Sequence, residues 1–257
     1  MGGQAFKEKY QIQRVDKEVT SAILEIINRN LKYEYAAVGN SENVLLENLS
    51  DTGDVDIIIS ANKDELFEKL ENIKACVDKR KIANNVLTVF SYGGKFYQVD
   101  FMTTTNIPLG SWLMKGNPNK EGIKGVMRNM LFCMLAKHTS DSCSKEGLIT
   151  TKFSLSFPGV LRFVSNSVDG TVKKDETIED KRKIRSVLRL STNEKLYEYN
   201  TFESVVDYLV EKDIYNRNDL LKGFIEYTEK SWIAKTMPSE MERAIEYIRG
   251  TEVSRDS

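Results

Sequence analysis

Apolar side chains recur every three or four positions over residues 17–31, and that spacing predicts an amphipathic helix near the start of the chain. Two short apolar runs follow, at 35–38 and 54–59, and each predicts a buried strand. A second helix is predicted after Asn62, because Asn62 and Glu65 have the spacing of a capping pair ahead of four apolar residues at helical intervals. The chain therefore begins with a mixture of helices and strands.

A tight hairpin is predicted next. Residues 86–92 and 95–102 are rich in apolar and aromatic side chains, and the Gly93-Gly94 pair between them is a strong two-residue turn signal. The predicted order of helix, strand, strand, helix, strand, strand gives a mixed sheet with helices packed on it. We assign this core of an α+β fold to residues 1–105.

Helical spacing dominates the remainder, so residues 106–257 are predicted to form a mainly helical region that completes a cleft. A connector rich in Gly and Pro at 108–119 precedes a strong amphipathic helix at 121–138. Charged residues replace apolar ones over 169–183, which predicts a surface loop. The other predicted elements are a short strand at 152–157 and helices near 201–211, 218–232 and 239–249.

The composition narrows the possible partners and the compartment. With 37 basic and 38 acidic residues the net charge is -1, so any contact with nucleic acid must be a local patch. Cys76, Cys133 and Cys143 lack the spacing of a metal site, so reduced thiols and a cytoplasmic location are expected. No apolar run approaches the roughly 20 residues that cross a bilayer, so no association with a membrane is expected.

Three acidic residues matter because the strands that carry them are predicted to be buried. Asp54 and Asp56 are two residues apart at the start of an apolar run, so they lie on one face of that strand. Asp100 lies between Val99 and Phe101 on a strand near the predicted centre of the sheet. Burying like charges together is unfavourable unless a cation neutralises them, and carboxylates are the ligands that Mg²⁺ prefers. The sequence therefore predicts a divalent metal site.

The order of these motifs resembles that of the DNA polymerase β-like nucleotidyltransferases. In that family a strand ending in Gly-Ser precedes an Asp-x-Asp strand, and an acid between apolar residues follows on a later strand. The matching positions here are 38–41, 54–56 and 99–101. Residues 1–6 and 124–129 are also similar to virus- or phage-encoded members of the family.

The resemblance implies that the protein transfers a nucleoside monophosphate from an NTP, such as ATP, to an acceptor hydroxyl and releases pyrophosphate. It implies that Asp54, Asp56 and Asp100 are catalytic residues that bind two Mg²⁺ or Mn²⁺ ions. Asp100 would also help to remove the proton of the acceptor hydroxyl.

Five residues are predicted to bind the nucleotide. The turn at Gly39 would let backbone N–H groups approach the phosphates, with Asn40 or Ser41 as a side-chain donor. The family commonly has Ser where this chain has Asn40, so this position is a departure from its pattern. Lys124 and Arg128 lie four residues apart on one face of the predicted helix, where they either bind the nucleotide or form an ordinary polar stripe.

Several acceptors fit this pattern. The 3′ end of an RNA or tRNA, a hydroxyl of a protein side chain and a small molecule all remain open. Basic residues within 173–189 favour RNA modification, although acidic residues interleave with them and favour a solvated surface. The sequence carries no signal for an oligomeric state.

Two other classes of function fit parts of the pattern. A glycosyltransferase with an Asp-x-Asp motif uses Mn²⁺ to hold a sugar nucleotide, but it has no need of Asp100. A catalytically inactive relative would act as a binding module, and Asn40 is the one hint of it. Label transfer from an NTP, from a sugar nucleotide or from neither donor distinguishes the three hypotheses.

Overall fold

The computed structural model describes residues 5–82, 85–144, 149–156, 160–167 and 171–250. The protein has an α+β fold, as the sequence predicts. It divides into two compact units, a first unit of residues 1–121 and a second unit of residues 122–257.

The first unit is built on a five-stranded mixed sheet. The strands of the first unit are β1 (Val15–Asp16), β2 (Tyr35–Ala37), β3 (Asp51–Thr52), β4 (Val55–Ile59), β5 (Cys76–Ile82), β6 (Asn85–Tyr92) and β7 (Lys95–Thr103). The sheet has the order β2-β4-β7-β6-β5, while β1 and β3 form a separate antiparallel pair. The two apolar strands, β4 and β7, are neighbours and run parallel, whereas the other pairs in the sheet are antiparallel. The central position predicted for the strand that carries Asp100 is confirmed.

The described residues of the first unit include the helices α1 (Lys17–Asn30), α2 (Gly39–Leu45), α3 (Lys63–Leu70) and α4 (Ile107–Leu113). Helix α1 begins where the Asp16 side chain accepts a hydrogen bond from the Val19 N–H. Asn62 caps α3 as predicted, because its side chain accepts hydrogen bonds from two N–H groups of the first turn. The apolar faces of α1 and α3 bury Ile23, Ile27, Leu66 and Leu70 in one core with the sheet.

The first unit continues beyond the predicted boundary at residue 105. The segment predicted as a connector contains α4, and the residues after it return to α2. The Gly39 N–H donates to the Met114 carbonyl at 3.0 Å, and Asn43 Nδ2 donates to the Asn117 carbonyl at 2.9 Å. These hydrogen bonds join the residues after α4 to helix α2, so this segment belongs to the first unit.

The second unit combines helices with a three-stranded sheet. Its helices are α5 (Gly125–Ser144), α6 (Lys181–Val187), α7 (Phe202–Glu211), α8 (Arg217–Thr228), α9 (Trp232–Thr236) and α10 (Pro238–Arg249). Its strands are β8 (Ile149–Ser156), β9 (Val160–Ser167) and β10 (Val172–Ile178), which form an antiparallel sheet in the order β10-β9-β8. The predicted helices and the strand at 152–157 are found within a few residues, apart from residue 157, which lies outside the described chain.

The surface loop predicted over 169–183 is wrong where the structure describes it. Residues 172–178 form β10, and α6 begins at Lys181. Among the described strands β10 pairs with β9 alone, and its charged residues Lys174, Asp175 and Glu176 are exposed. An edge strand exposed on both faces has no apolar alternation, so its sequence resembles that of a loop. Residues 169–170 of the predicted loop lie outside the described residues.

Among the helices that the structure describes, none is long and apolar enough to cross a membrane.

Candidate metal centre

The parallel pairing of β4 and β7 brings two of the predicted acids together. In this register Asp56 lies directly opposite Asp100. Residues paired in this way on neighbouring strands point to the same face of the sheet. The isoleucines at 57–59 are fully buried and point to alternating faces of β4, so Asp56 shares its face with Ile58. The apolar run thus buries the strand that carries Asp56.

Asp54 completes the cluster from the turn before β4. One carboxylate oxygen from each of Asp54, Asp56 and Asp100 lies within 4.8 Å of the other two. Asp54 is only 9% exposed, and the other two side chains are half-buried. Three converging carboxylates offer a hard, oxygen-only donor set, which fits Mg²⁺ or Mn²⁺. The predicted convergence of these residues is confirmed.

The electrostatics of the cluster reflect the proximity of like charges. Burial raises the pKa of Asp56 well above its usual value, and the charges of Asp54 and Asp100 raise it further. Burial also raises the pKa of Asp100 to about 7, with a second upward contribution from Asp54. Hydrogen bonds from Gln98 and the charge of Arg80 act on Asp100 in the opposite direction. A bound divalent cation would favour the ionised form of each carboxyl group.

Gly39 lies against the cluster, where a side chain would make a tight contact with Asp56. Its φ is +60°, a conformation that favours glycine, and a Cβ there would lie 3.3 Å from Asp56 Oδ2. Gly116 packs on it so closely that a Cβ at 116 would lie 2.6 Å from the Gly39 carbonyl. The predicted turn at Gly39 therefore borders the acids directly, and Gly116 packs against its backbone.

Ser41 holds the backbone of the Asp-x-Asp segment. Its hydroxyl accepts a hydrogen bond from the Asp56 N–H at 2.8 Å and donates one to the Asp54 carbonyl at 3.3 Å. The side chain is fully buried, whereas the neighbouring Asn40 is exposed. Ser41 thus positions two of the acids. The side chain of Asn40 faces solvent instead. The phosphate contacts predicted for both residues stay predictions.

Gln98 is a neighbour of the cluster that sequence reasoning missed. Its Nε2 lies 3.0 Å from both carboxylate oxygens of Asp100. The signal was available, because residues 98 and 100 are two apart on one strand and therefore share a face. A buried amide next to a predicted metal ligand is a candidate for orienting that ligand.

Lys124 and Arg128 belong to the second unit, where both have partners. Lys124 Nζ lies 3.5 Å from a carboxylate oxygen of Glu240. Arg128 is fully buried and donates to the carbonyls of Tyr199 and Asn200 at 3.2 and 2.8 Å. These contacts give both side chains a structural role within that unit, and their predicted contacts with a nucleotide stay predictions.

A scan against protein-family models gives no match for this chain, and no curated protein matches it. The site is therefore interpreted from its own geometry and chemistry.

Proposed function

We propose that this protein is a metal-dependent nucleotidyltransferase that moves a nucleoside monophosphate from an NTP to an acceptor hydroxyl. The observation that carries the proposal is the convergence of Asp54, Asp56 and Asp100 on one face of adjoining parallel strands. The turn at Gly39 beside them supports it, because the resemblance of this chain to the polymerase β-like family includes that turn as well as the acids.

Asp54, Asp56 and Asp100 would hold two Mg²⁺ or Mn²⁺ ions. Such ions neutralise the charge of a triphosphate and orient its α-phosphate for attack. In the reaction the acceptor oxygen forms a bond to the α-phosphorus and the hydroxyl proton is released. The bond between the α-phosphorus and the oxygen that bridges it to the β-phosphorus breaks. Pyrophosphate leaves with the electrons of the broken bond.

For the acceptor we favour the 3′ end of an RNA or tRNA. Exposed Arg182 and Lys183 on α6 support this choice, since phosphate contacts from surface cations give sequence-independent affinity. Two other basic residues of the segment are engaged in ion pairs, Lys174 with Glu176 at 2.9 Å and Lys181 with Glu194 at 3.2 Å. A protein or small-molecule hydroxyl is the alternative acceptor.

We also propose a cytoplasmic setting. The thiols of Cys76 and Cys133 are free, which fits a reducing compartment. Burial raises the pKa of each thiol to about 11, so both are protonated and poorly reactive at neutral pH.

The test is transfer of label from each α-labelled NTP to cellular RNA or lysate in the presence of Mg²⁺ or Mn²⁺. We expect a labelled macromolecule with the wild type and none with Asp54→Ala plus Asp56→Ala. The matched control is Asp64→Asn, which alters an exposed acid of α3 that pairs with Lys81. Transfer from a UDP-sugar instead would favour the glycosyltransferase, and no transfer from any donor by the folded chain would favour a binding module.

A further inference from the structure

Gln98 is placed to control the geometry of Asp100. It lies on β7 with only 3% of its surface exposed, and Nε2 is 3.0 Å from Oδ1 and from Oδ2 of Asp100. An amide that spans both oxygens restricts rotation of the carboxylate about its terminal bond. A ligand restrained in this way loses less freedom when it binds a cation.

The other end of the Gln98 amide is also fixed. Its Oε1 accepts a hydrogen bond from the main-chain N–H of Ala5 at 2.9 Å. A backbone N–H can only donate, so this contact assigns Oε1 to Ala5 and leaves the NH₂ group facing the carboxylate. The next residue, Phe6, is buried with 7% exposure, and its burial holds the adjacent Ala5 in place beside Gln98.

We propose that Gln98 is a positioning residue that presents Asp100 to a divalent cation, and that the Ala5 N–H locks it in that orientation. The proposal rests on the proposed function only in requiring that the three acids bind such a cation. It extends that function to a residue and a terminal segment outside the three acids. Hydrogen-bond partners of metal ligands typically contribute about 10- to 100-fold to metal affinity.

The experiment is a titration of the full-length protein with Mn²⁺ alone. Electron paramagnetic resonance measures the concentration of free Mn²⁺ at each step and so gives the affinity. Gln98→Met keeps the length of the side chain and removes both polar contacts. We expect it to weaken Mn²⁺ binding by about 10-fold or more. In the label-transfer assay the defect should diminish as the Mg²⁺ concentration rises, which a purely structural defect would not do.

The matched control is Thr88→Val on the neighbouring strand β6. Thr88 is fully buried, and its hydroxyl donates to the Val99 carbonyl at 2.7 Å without contacting a carboxylate. This variant also loses a buried hydrogen bond, so it measures the effect of such a loss away from the carboxylates. Its Mn²⁺ affinity should stay within about twofold of the wild type, because the ligands keep their partners.

A second pair of variants tests the lock while Gln98 is kept. Ala5→Pro removes the N–H that holds Oε1, whereas Ala5→Gly keeps it. We expect Ala5→Pro to bind Mn²⁺ several-fold more weakly than Ala5→Gly. This pair also keeps the proposal testable if Gln98→Met fails to fold.

The outcomes separate this proposal from the function on which it rests. Wild-type binding that is lost in Asp56→Asn, together with equal affinities for Gln98→Met and Thr88→Val, would overturn the role of Gln98 and leave the metal centre standing. If the wild type binds no Mn²⁺, or if Asp56→Asn does not weaken the binding, both the role of Gln98 and the metal centre are overturned. Equal affinities of Ala5→Pro and Ala5→Gly would overturn the lock.

Discussion

Both units of this protein bury charged side chains, but they do so in opposite ways. The first unit gathers three carboxylates, those of Asp54, Asp56 and Asp100, within 4.8 Å of one another. The second unit buries two guanidinium groups, Arg128 and Arg185, which are at most 1% exposed. In the first unit negative charges lie close together, whereas in the second unit each buried positive charge donates hydrogen bonds to neutral carbonyl groups.

The two arginines have the partners that a structural role requires. Arg128 donates to the carbonyls of Tyr199 and Asn200, and Arg185 donates to the carbonyl of Ser191 at 3.4 Å. The guanidinium carbon of Arg185 also lies 5.1 Å from the centre of the Tyr199 ring. Such contacts offset the loss of hydration. Because burial and neighbouring carboxylates instead raise the pKa values of Asp56 and Asp100, this arrangement favours a cation from outside the chain.

The largest expected effect separates activity from stability in the first unit. Asp54→Asn plus Asp56→Asn should lower label transfer by at least about 10³-fold, because it removes two metal ligands. In EDTA the same change should raise the free energy of unfolding by about 1–2 kcal/mol, since two buried like charges are gone. Activity assays and urea unfolding measure the two effects. A free energy of unfolding that falls by several kcal/mol would mean that these acids are structural.

In the second unit, removing a buried charge is expected to lower the free energy of unfolding. Arg128→Met should lower the free energy of unfolding by about 3 kcal/mol, because the carbonyls of Tyr199 and Asn200 lose a buried donor. The control is Lys124→Met, which alters a half-exposed ion pair with Glu240 and should change stability by less than about 1 kcal/mol. Urea unfolding at pH 7 compares the two variants. Equal small effects would contradict a structural role for the buried arginine.

Stability should also depend on pH through the carboxylates. The folded protein holds the Asp100 proton up to a pKa of about 7, whereas the unfolded chain releases it near the ordinary value of 3.8. The folded state therefore binds more protons between these values, and the metal-free protein should lose stability as the pH rises from about 4 to 7, by roughly 1 kcal/mol per pH unit. Urea unfolding in EDTA at several pH values gives the slope.

Asp100→Asn serves as the control for that slope. It should flatten the dependence, and Mg²⁺ should restore the stability of the wild type at the upper end of the range because it binds the ionised acids. A wild type whose stability rises with pH in EDTA would show that the acids are compensated within the chain, as the arginines are.

The smallest expected effect tests the turn beside the acids. Gly39 and Gly94 both have positive φ, but a Cβ at 39 would meet Asp56 Oδ2 at 3.3 Å, whereas a Cβ at 94 would meet nothing within 4 Å. Gly39→Ala and Gly94→Ala should each lower the free energy of unfolding by about 1 kcal/mol. Only Gly39→Ala should also weaken label transfer. Equal transfer by the two variants would remove the turn from the site.

The features that the sequence predicted are those that depend on local pattern plus burial. The apolar run at 57–59 predicts a buried strand that begins at the acids, and Gly93-Gly94 predicts the hairpin that contains Asp100. Convergence of the acids follows from those two local features together with parallel pairing of the strands. That part of the candidate site could be predicted before any coordinates.

Other features depend on contacts between distant residues. The edge strands β5 and β10 were missed because exposed strands such as β10 need no apolar alternation, and Ile82 at the end of β5 is itself 45% exposed. The contact that holds the Gln98 amide could not be predicted, because it comes from the N–H of Ala5, which is 93 positions away in the chain. The contacts of the Ser41 hydroxyl with the Asp54 carbonyl and the Asp56 N–H could not be predicted either, because they join residues 13 and 15 positions apart.

The central claim is that three acids of the first unit hold divalent cations for a nucleotide. Anomalous diffraction from crystals grown with Mn²⁺ and a non-hydrolysable nucleoside triphosphate analogue tests it most directly. We expect an anomalous peak bounded by the carboxylates of Asp54, Asp56 and Asp100, with the triphosphate beside it. An ordered protein with no Mn²⁺ at these carboxylates, while the analogue is bound elsewhere, would contradict it.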